Sequence, residues 1–185
     1  MTEAFEDQLD RAAAAALALA VERPWAEITL RDIALKAHVP LADLYAHAPG
    51  KPQVIDWLSR RFDLAALKAG DEADQDAHDR LFDASMRRIE AIEPHRAALI
   101  AIHAGEGPAP LLARLPATAR AILEGAGVDA SGARGALRVV AMTAAWARIL
   151  KVWRDDEGAL NRTMAEIDRR LKQMRKALAA AHAGF

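Results

Sequence analysis

The stretch LRDIALKAHVPLADLYAHAPGK, from Leu30 to Lys51, decides the fold predicted for this chain. Thr29 stands before it and Asp32 follows three positions later, which is a capping-box pattern at the start of a helix. His-Val-Pro at 38–40 predicts a turn, because proline is tolerated where a helix begins. The next short helix, residues 41–47, would bury Leu44. Two short helices joined by a three-residue turn predict a helix-turn-helix unit.

The sequence of the rest of the chain also predicts helices and no strands. Alanine, leucine, arginine and glutamate dominate, and β-branched or aromatic residues never alternate long enough for a strand. Prolines and glycines divide the chain into about eight or nine helices, and the first helix covers residues 3–22. Residues 136–154 form a helix that is apolar on most sides, so it must be buried in a core, an interface or both. The last helix carries an apolar seam for packing against other helices: Leu160, Met164, Ile167, Leu171, Met174 and Leu178.

Composition excludes several classes of protein. Hydrophobic residues make up 52% of the 185, but no run approaches the roughly 20 apolar residues that span a bilayer. The first residues are acidic where a secretory signal is basic, so we expect a cytoplasmic protein. The sequence has no cysteine, no glycine-rich phosphate loop, no serine elbow motif and no histidine pair four positions apart. We therefore expect no catalytic residue, no cofactor and no metal site.

Charge is distributed unevenly along the chain. Residues 1–60 contain six Lys and Arg against nine Asp and Glu, whereas residues 151–185 contain eight against five. Non-specific affinity for duplex DNA comes largely from neutralising phosphates. The predicted DNA-binding end is thus the acidic end, which counts against easy binding to DNA.

The quoted stretch resembles the TetR family of bacterial transcriptional regulators, through ITLRDIALKAHV, then LYAH, then PGK. The resemblance covers residues 13–58, and it implies an all-α, TetR-like fold. A helix-turn-helix head, residues 1–55, would be joined to a helical body, residues 56–185, that dimerises through its last two helices and binds a small hydrophobic ligand. Carried over by position, Thr29 and Lys51 would hold phosphates, Tyr45 and His47 would contact the backbone or base edges, and Ala42 and Asp43 would face the major groove.

Several positions depart from the family pattern. The family usually has glycine at the position of His38 and a small hydroxyl residue at the position of Asp43. Serine and a polar or basic residue usually stand where this chain has Pro40 and Leu41, and an aromatic stands where it has Ala48. No Arg, Lys, Asn or Gln occurs between positions 39 and 50. Specificity would therefore come from Tyr45, His47 and indirect readout, or the head would serve only as scaffold.

The C-terminal segment MTAAWARILKVWRDDEGALNRTMAEIDRRLKQMRKAL resembles a second family, the TetR-fold lipid-binding proteins of ubiquinone biosynthesis. This resemblance implies a lipid- or isoprenoid-binding protein of quinone biosynthesis that does not bind DNA. The basic side chains of the last helix would then suit docking to a membrane surface.

Two functions follow from these patterns and remain open at this point. The first is a ligand-responsive transcriptional repressor that binds operator DNA as a homodimer, and the second is the lipid-binding protein. In either case an apolar cavity between helices is a common binding site for the ligand. The candidates for its lining, each of which would equally suit an ordinary core, are Met86, Ile89, His103, Met142, Trp146 and Trp153.

Overall fold

The computed structural model describes residues 2–68, 75–156 and 158–184. Within these ranges the chain forms α-helices and two 3-10 helices and no β-strand, which confirms the predicted all-α fold. The 3-10 helices are Trp25–Glu27 and Glu93–His95. The α-helices are α1 (Thr2–Glu22), α2 (Leu30–Lys36), α3 (Leu41–His47), α4 (Lys51–Ala66), α5 (Ala77–Ile92), α6 (Arg96–Glu106), α7 (Pro108–Gly125), α8 (Gly132–Arg154) and α9 (Asn161–Ala180).

The capping box at the start of α2 is confirmed. The backbone N–H of Asp32 donates to the Thr29 hydroxyl at 3.2 Å, and the backbone N–H of Thr29 donates to the Asp32 carboxylate at 2.8 Å. Backbone and hydroxyl hydrogen bonds from Thr29, with the charge of Arg23 as a smaller contribution, hold the pKa of Asp32 below its usual value. Two N–H groups that a helix start leaves without partners are therefore satisfied locally.

The turn between α2 and α3 places His38 in the left-handed region, with φ at 53°. The N–H of Val39 closes this turn on the carbonyl of Ala34 at 3.0 Å. Left-handed backbone favours glycine because it has no Cβ to clash. The glycine expected from the resemblance would adopt this backbone without strain, and this chain adopts it with a histidine. Helix α3 begins and ends as predicted, with Leu44 fully buried.

The chain divides into two compact units. The first unit comprises Met1–Arg61 and His95–Leu111, and the second comprises Phe62–Pro94 and Leu112–Phe185. In the first unit α1 packs against α2, α3 and α6. In the second unit α9 packs against α8 and α5. The predicted helix-turn-helix stretch lies wholly within the first unit.

The last two helices differ in detail from the predicted pattern. Leu160 precedes α9 rather than joining its seam, because its φ of 57° is left-handed and cannot continue a right-handed helix. The later seam residues are buried as expected: Ile167, Leu171, Met174 and Leu178. Helix α8 buries one face, but Leu137 and Val140 on another face are 47% and 67% exposed in the single chain. None of the described helices is long and apolar enough to cross a membrane.

Candidate nucleic-acid interface and ligand site

Helix α3 presents the side chains that the sequence predicted for DNA contact. Leu44 points into the core, whereas Ala42, Asp43, Tyr45 and His47 are exposed. The phenol of Tyr45 is the largest of these groups, and the residue is 60% exposed. A tyrosine on this surface contributes little to the core, so its side chain is available to an external partner.

His47 has an aromatic neighbour that sequence reasoning did not identify. The Phe5 ring on α1 lies 3.7 Å from the His47 ring between centroids, and the Trp57 ring lies 6.5 Å from that of Phe5. Trp57 in turn donates its indole N–H to the Asp10 carboxylate at 2.8 Å. The imidazole is therefore supported on one side by α1. In the sequence Phe5 is an apolar residue near the start of the first helix, with nothing to link it to position 47.

Lys51 is engaged by its own unit. Its ammonium donates to the carbonyl of Trp25 at 2.7 Å and lies 4.6 Å from the centre of the Trp25 ring. Partial burial lowers the pKa of Lys51, although the charges of Glu106 and Asp32 act in the opposite direction. An ammonium has three N–H donors, so this contact leaves others for a phosphate. Lys51 thus fixes the 3-10 helix at Trp25 to the start of α4.

Most other cations of residues 1–61 are also held by neighbours. Ion pairs or carbonyl contacts engage five of them: Arg11 with Asp7, Arg23 with Asp32, Lys36 with Glu22, Arg60 with the Asp56 carbonyl, and Arg61 with Asp10. Arg31 in the first turn of α2 is exposed and makes no such contact within the described part of the chain. Sequence reasoning missed this residue, although its place beside the Thr29 cap was a usable signal.

The hydroxyl of Thr29 is exposed but already occupied. It donates to the Asp32 carboxylate at 2.7 Å while it accepts from the Asp32 backbone. A phosphate at this position would have to share Thr29 with its cap. Arg31, one residue after Leu30, is the cation best placed to assist.

The predicted ligand residues fall in both units. Ile89, Met142, Trp146 and Trp153 are buried in the second unit, where Met86 is partly buried. His103 is partly exposed and belongs to the first unit. Among the residues that the structure describes, no group of three or more His, Asp or Glu could hold a metal ion.

A polar cluster that sequence reasoning missed lies in the core of the second unit. Arg88 on α5 donates from Nε to the Asp63 carboxylate on α4 at 2.7 Å, and from Nη2 to the Thr118 hydroxyl on α7 at 3.3 Å. Thr118 donates to the same carboxylate oxygen at 2.9 Å. The Arg88 guanidinium lies 5.2 Å from the centre of the Trp146 ring on α8. The partners stand on different helices, so no short sequence motif could have indicated them.

An open groove of about 510 Å³ in the first unit offers little chemistry by comparison. Its walls are mostly small apolar residues between the end of α1, the Trp25 turn and α6. The two charged residues of its lining, Glu22 and Arg23, are paired with Lys36 and Asp32. The groove therefore presents mainly apolar surface.

Comparison with known proteins supports the fold. The chain is similar to a solved structure, a TetR transcriptional regulator from Rhodococcus sp. RHA1, with a TM-score of 0.66. The similarity covers 91% of this chain and 95% of that chain, at 16% sequence identity. No protein-family model and no curated protein sequence matches. The chain therefore has a TetR-like helical fold.

Proposed function

We propose that the protein is a transcriptional regulator of the TetR family, a repressor that releases operator DNA when a small hydrophobic ligand binds. The observation that carries this proposal is the exposed face of α3, where Tyr45 and His47 stand beside Ala42 and Asp43. In a helix-turn-helix protein the second helix enters the major groove with its early residues toward the bases. The likeness to a solved TetR transcriptional regulator agrees with this role.

Each predicted contact has a chemical role in this proposal. Tyr45 and His47 donate hydrogen bonds to phosphates or base edges, and Ala42 lets the helix approach the groove closely. Asp43 accepts from a cytosine amino group. Lys51 and Thr29 hold phosphates at the starts of α4 and α2, where helix N-termini favour anions, and Arg31 adds a further cation. Phe5 keeps the His47 ring in position.

The proposal includes a homodimer formed through α8 and α9. Leu137 and Val140 leave an apolar surface on α8 that a second copy would cover. A dimer presents two recognition helices to half-sites about 34 Å apart, so a change in their spacing weakens binding to both. Ligand in the body would act through that spacing.

Fluorescence anisotropy with labelled duplex from upstream of the protein's own coding sequence tests the proposal. We expect saturable binding that survives excess unrelated DNA at physiological salt. Tyr45→Ala should weaken the affinity about tenfold or more, because two hydrogen bonds are lost per dimer. Leu35→Ala is the matched control, since Leu35 is 69% exposed on α2 and lies outside α3. Absent binding at low and physiological salt, or equal binding to every sequence, would remove DNA from the proposal.

A second function is favoured by one specific observation, the engagement of most cations of residues 1–61 within the first unit. With those charges neutralised and Asp43 exposed, the head suits a scaffold, and the protein would be a TetR-fold lipid- or isoprenoid-binding protein of quinone biosynthesis. Docking to a membrane surface would then use the exposed cations of α9. Arg175 and Lys176 are the variants to test, because Arg169 and Lys172 are paired with Glu166 and Asp168.

Binding to vesicles of anionic phospholipid distinguishes this second function. The second function requires that a hydrophobic molecule co-purifies with the protein. It also requires that vesicle binding falls when Arg175 and Lys176 are changed to glutamine. If the protein carries no such molecule and does not bind the vesicles, the transcriptional regulator remains the only proposed function.

A further inference from the structure

The indole N–H of Trp146 is a buried donor without an acceptor. Trp146 is fully buried in α8, and its Nε1 has no hydrogen-bond partner among the described residues. Trp57 and Trp153 differ, because their indole N–H groups donate to Asp10 and Glu93 at 2.8 and 2.6 Å. Buried polar groups in proteins are nearly always paired, so a group left without a partner needs a specific explanation.

The neighbours of this N–H cannot satisfy it. The Arg88 guanidinium beside the Trp146 ring is a donor only, and it is bound to Asp63 and Thr118. Within α8 the nearest positions on the same buried face are Met142 and Ile149, which offer no strong acceptor. The Trp146 ring therefore lies beside a polar cluster whose members are bonded to one another, while its own N–H has no acceptor in the described part of the chain.

The charge balance of the cluster decides which acceptor fits. Asp63 and Arg88 form a buried pair, with side chains 8% and 7% exposed, so their formal charges cancel. An incoming carboxylate would add a buried negative charge without a counter-charge, which is costly in a core. A neutral carbonyl oxygen satisfies the indole N–H and adds no charge. An apolar body matches Met142 and Ile149, which share the buried face of α8 with Trp146.

We propose that the ligand of this protein is a neutral, apolar molecule with a carbonyl oxygen that accepts from Nε1 of Trp146. This inference rests on the ligand-binding role proposed above, but it does not require DNA binding. Arg88 is a positioning residue, because its guanidinium holds one face of the indole ring while Asp63 and Thr118 hold the guanidinium. Hydrocarbons of the same size and carboxylates should bind more weakly.

Nuclear magnetic resonance of the full chain labelled with ¹⁵N-tryptophan tests this inference directly. The four tryptophans give four indole N–H signals, which are assigned with Trp→Phe variants. The probes are acetophenone, ethylbenzene and benzoate, each of which contains one benzene ring. Acetophenone adds a neutral carbonyl, ethylbenzene adds no hydrogen-bond acceptor, and benzoate adds an anionic carboxylate. We expect acetophenone to move the Trp146 signal downfield and to bind about tenfold more tightly than ethylbenzene. Benzoate should bind more weakly than acetophenone.

Two variants separate a hydrogen bond from general packing. Trp146→Phe should make the affinities for acetophenone and ethylbenzene equal, whereas Trp57→Phe should preserve the preference. If Trp146→Phe does not fold, the shift of the Trp146 signal in the unaltered protein decides alone. A Trp146 signal that none of the probes moves would overturn the inference, as would a preference for benzoate or equal binding of ethylbenzene. All measurements omit DNA, so their outcome is separate from that of the operator experiment.

Discussion

Replacing Asp63 by asparagine should destabilise the second unit strongly. The substitution keeps the shape of the side chain but removes its charge, and it deprives the buried Arg88 guanidinium of the carboxylate that Nε contacts. The Nε of Arg88 lies 2.7 Å from the Asp63 carboxylate, and both side chains are less than a tenth exposed. Breaking such a pair costs about 3–5 kcal/mol. A domain has a total stability of about 5–15 kcal/mol, so the variant would lose a large part of it.

Glu22→Gln is the matched control for this prediction. Glu22 and Lys36 also form a close pair, at 2.8 Å, but their side chains are 51% and 45% exposed. Water screens such a pair, and its loss costs at most about 1 kcal/mol. Urea unfolding, followed by circular dichroism and tryptophan fluorescence at one fixed protein concentration, gives the midpoint and slope for each variant.

The combined change of Asp63 and Arg88 refines the prediction. Asp63→Leu with Arg88→Met removes both charges, so the cost should be smaller than the sum of the two single changes. Equal midpoints for Asp63→Asn and Glu22→Gln would refute the reasoning, because they would mean that the burial of Arg88 does not depend on the charge of Asp63. Additive costs in the double variant would refute the pairing itself.

Three further predictions follow from backbone geometry and capping. His38→Gly should raise stability by about 0.5 kcal/mol in urea unfolding, because glycine adopts the φ of 53° without strain. Gly125→Ala should cost about 3 kcal/mol or more in the same assay, because its Cβ would lie 2.0 Å from the carbonyl oxygen of Ala66. Asp76 accepts from the first backbone N–H groups of α5, and the hydrogen bond from Asp79 holds its pKa below the usual value. Asp76→Ala should therefore lower the midpoint at neutral pH, and this difference should close as the pH falls through that lowered pKa.

Local chemistry explains why the helix-turn-helix could be predicted. The Thr29 cap, the Pro40 position and the bounds of α3 depend on residues a few positions apart, and each prediction agrees with the structure. The left-handed backbone at His38 was not predicted, since a positive φ is uncommon for residues other than glycine. Short-range hydrogen bonds and backbone preferences were thus sufficient to predict the capping box of α2 and the bounds of α3.

Packing between distant segments explains what the sequence could not indicate. Asp63, Arg88 and Thr118 meet although 25 and 55 positions separate Asp63 from its two partners. The sequence pattern of α5 does not distinguish Arg88 from a solvent-exposed arginine. Its burial becomes evident only when the neighbouring helices are in place. The contact of Lys51 with the Trp25 carbonyl is similar, because position alone suggested a phosphate ligand. Burial and side-chain partners are properties of the assembled helices.

The engaged cations of the head also predict how the DNA binding proposed for this protein should depend on salt. Arg31 is exposed and Lys51 retains unused donors, so each head offers about two cations to phosphates, and a dimer about four. The logarithm of the affinity should then fall with the logarithm of salt concentration with a slope of about −4. If every Lys and Arg of residues 1–61 left its partner to contact a phosphate, the slope would be steeper than about −10.

Arg31→Ala should make that slope shallower by about two, because one phosphate contact disappears from each head. Lys36→Ala is the control, since Lys36 is held by Glu22 and should leave the slope unchanged. Anisotropy titrations from about 50 to 200 mM salt, a range over which such slopes are resolved, measure all three proteins. A steep slope in the unaltered protein, with Lys36→Ala reducing it, would mean that DNA breaks the intramolecular ion pairs. The acidic head would then bind by exchanging its own carboxylates for phosphates.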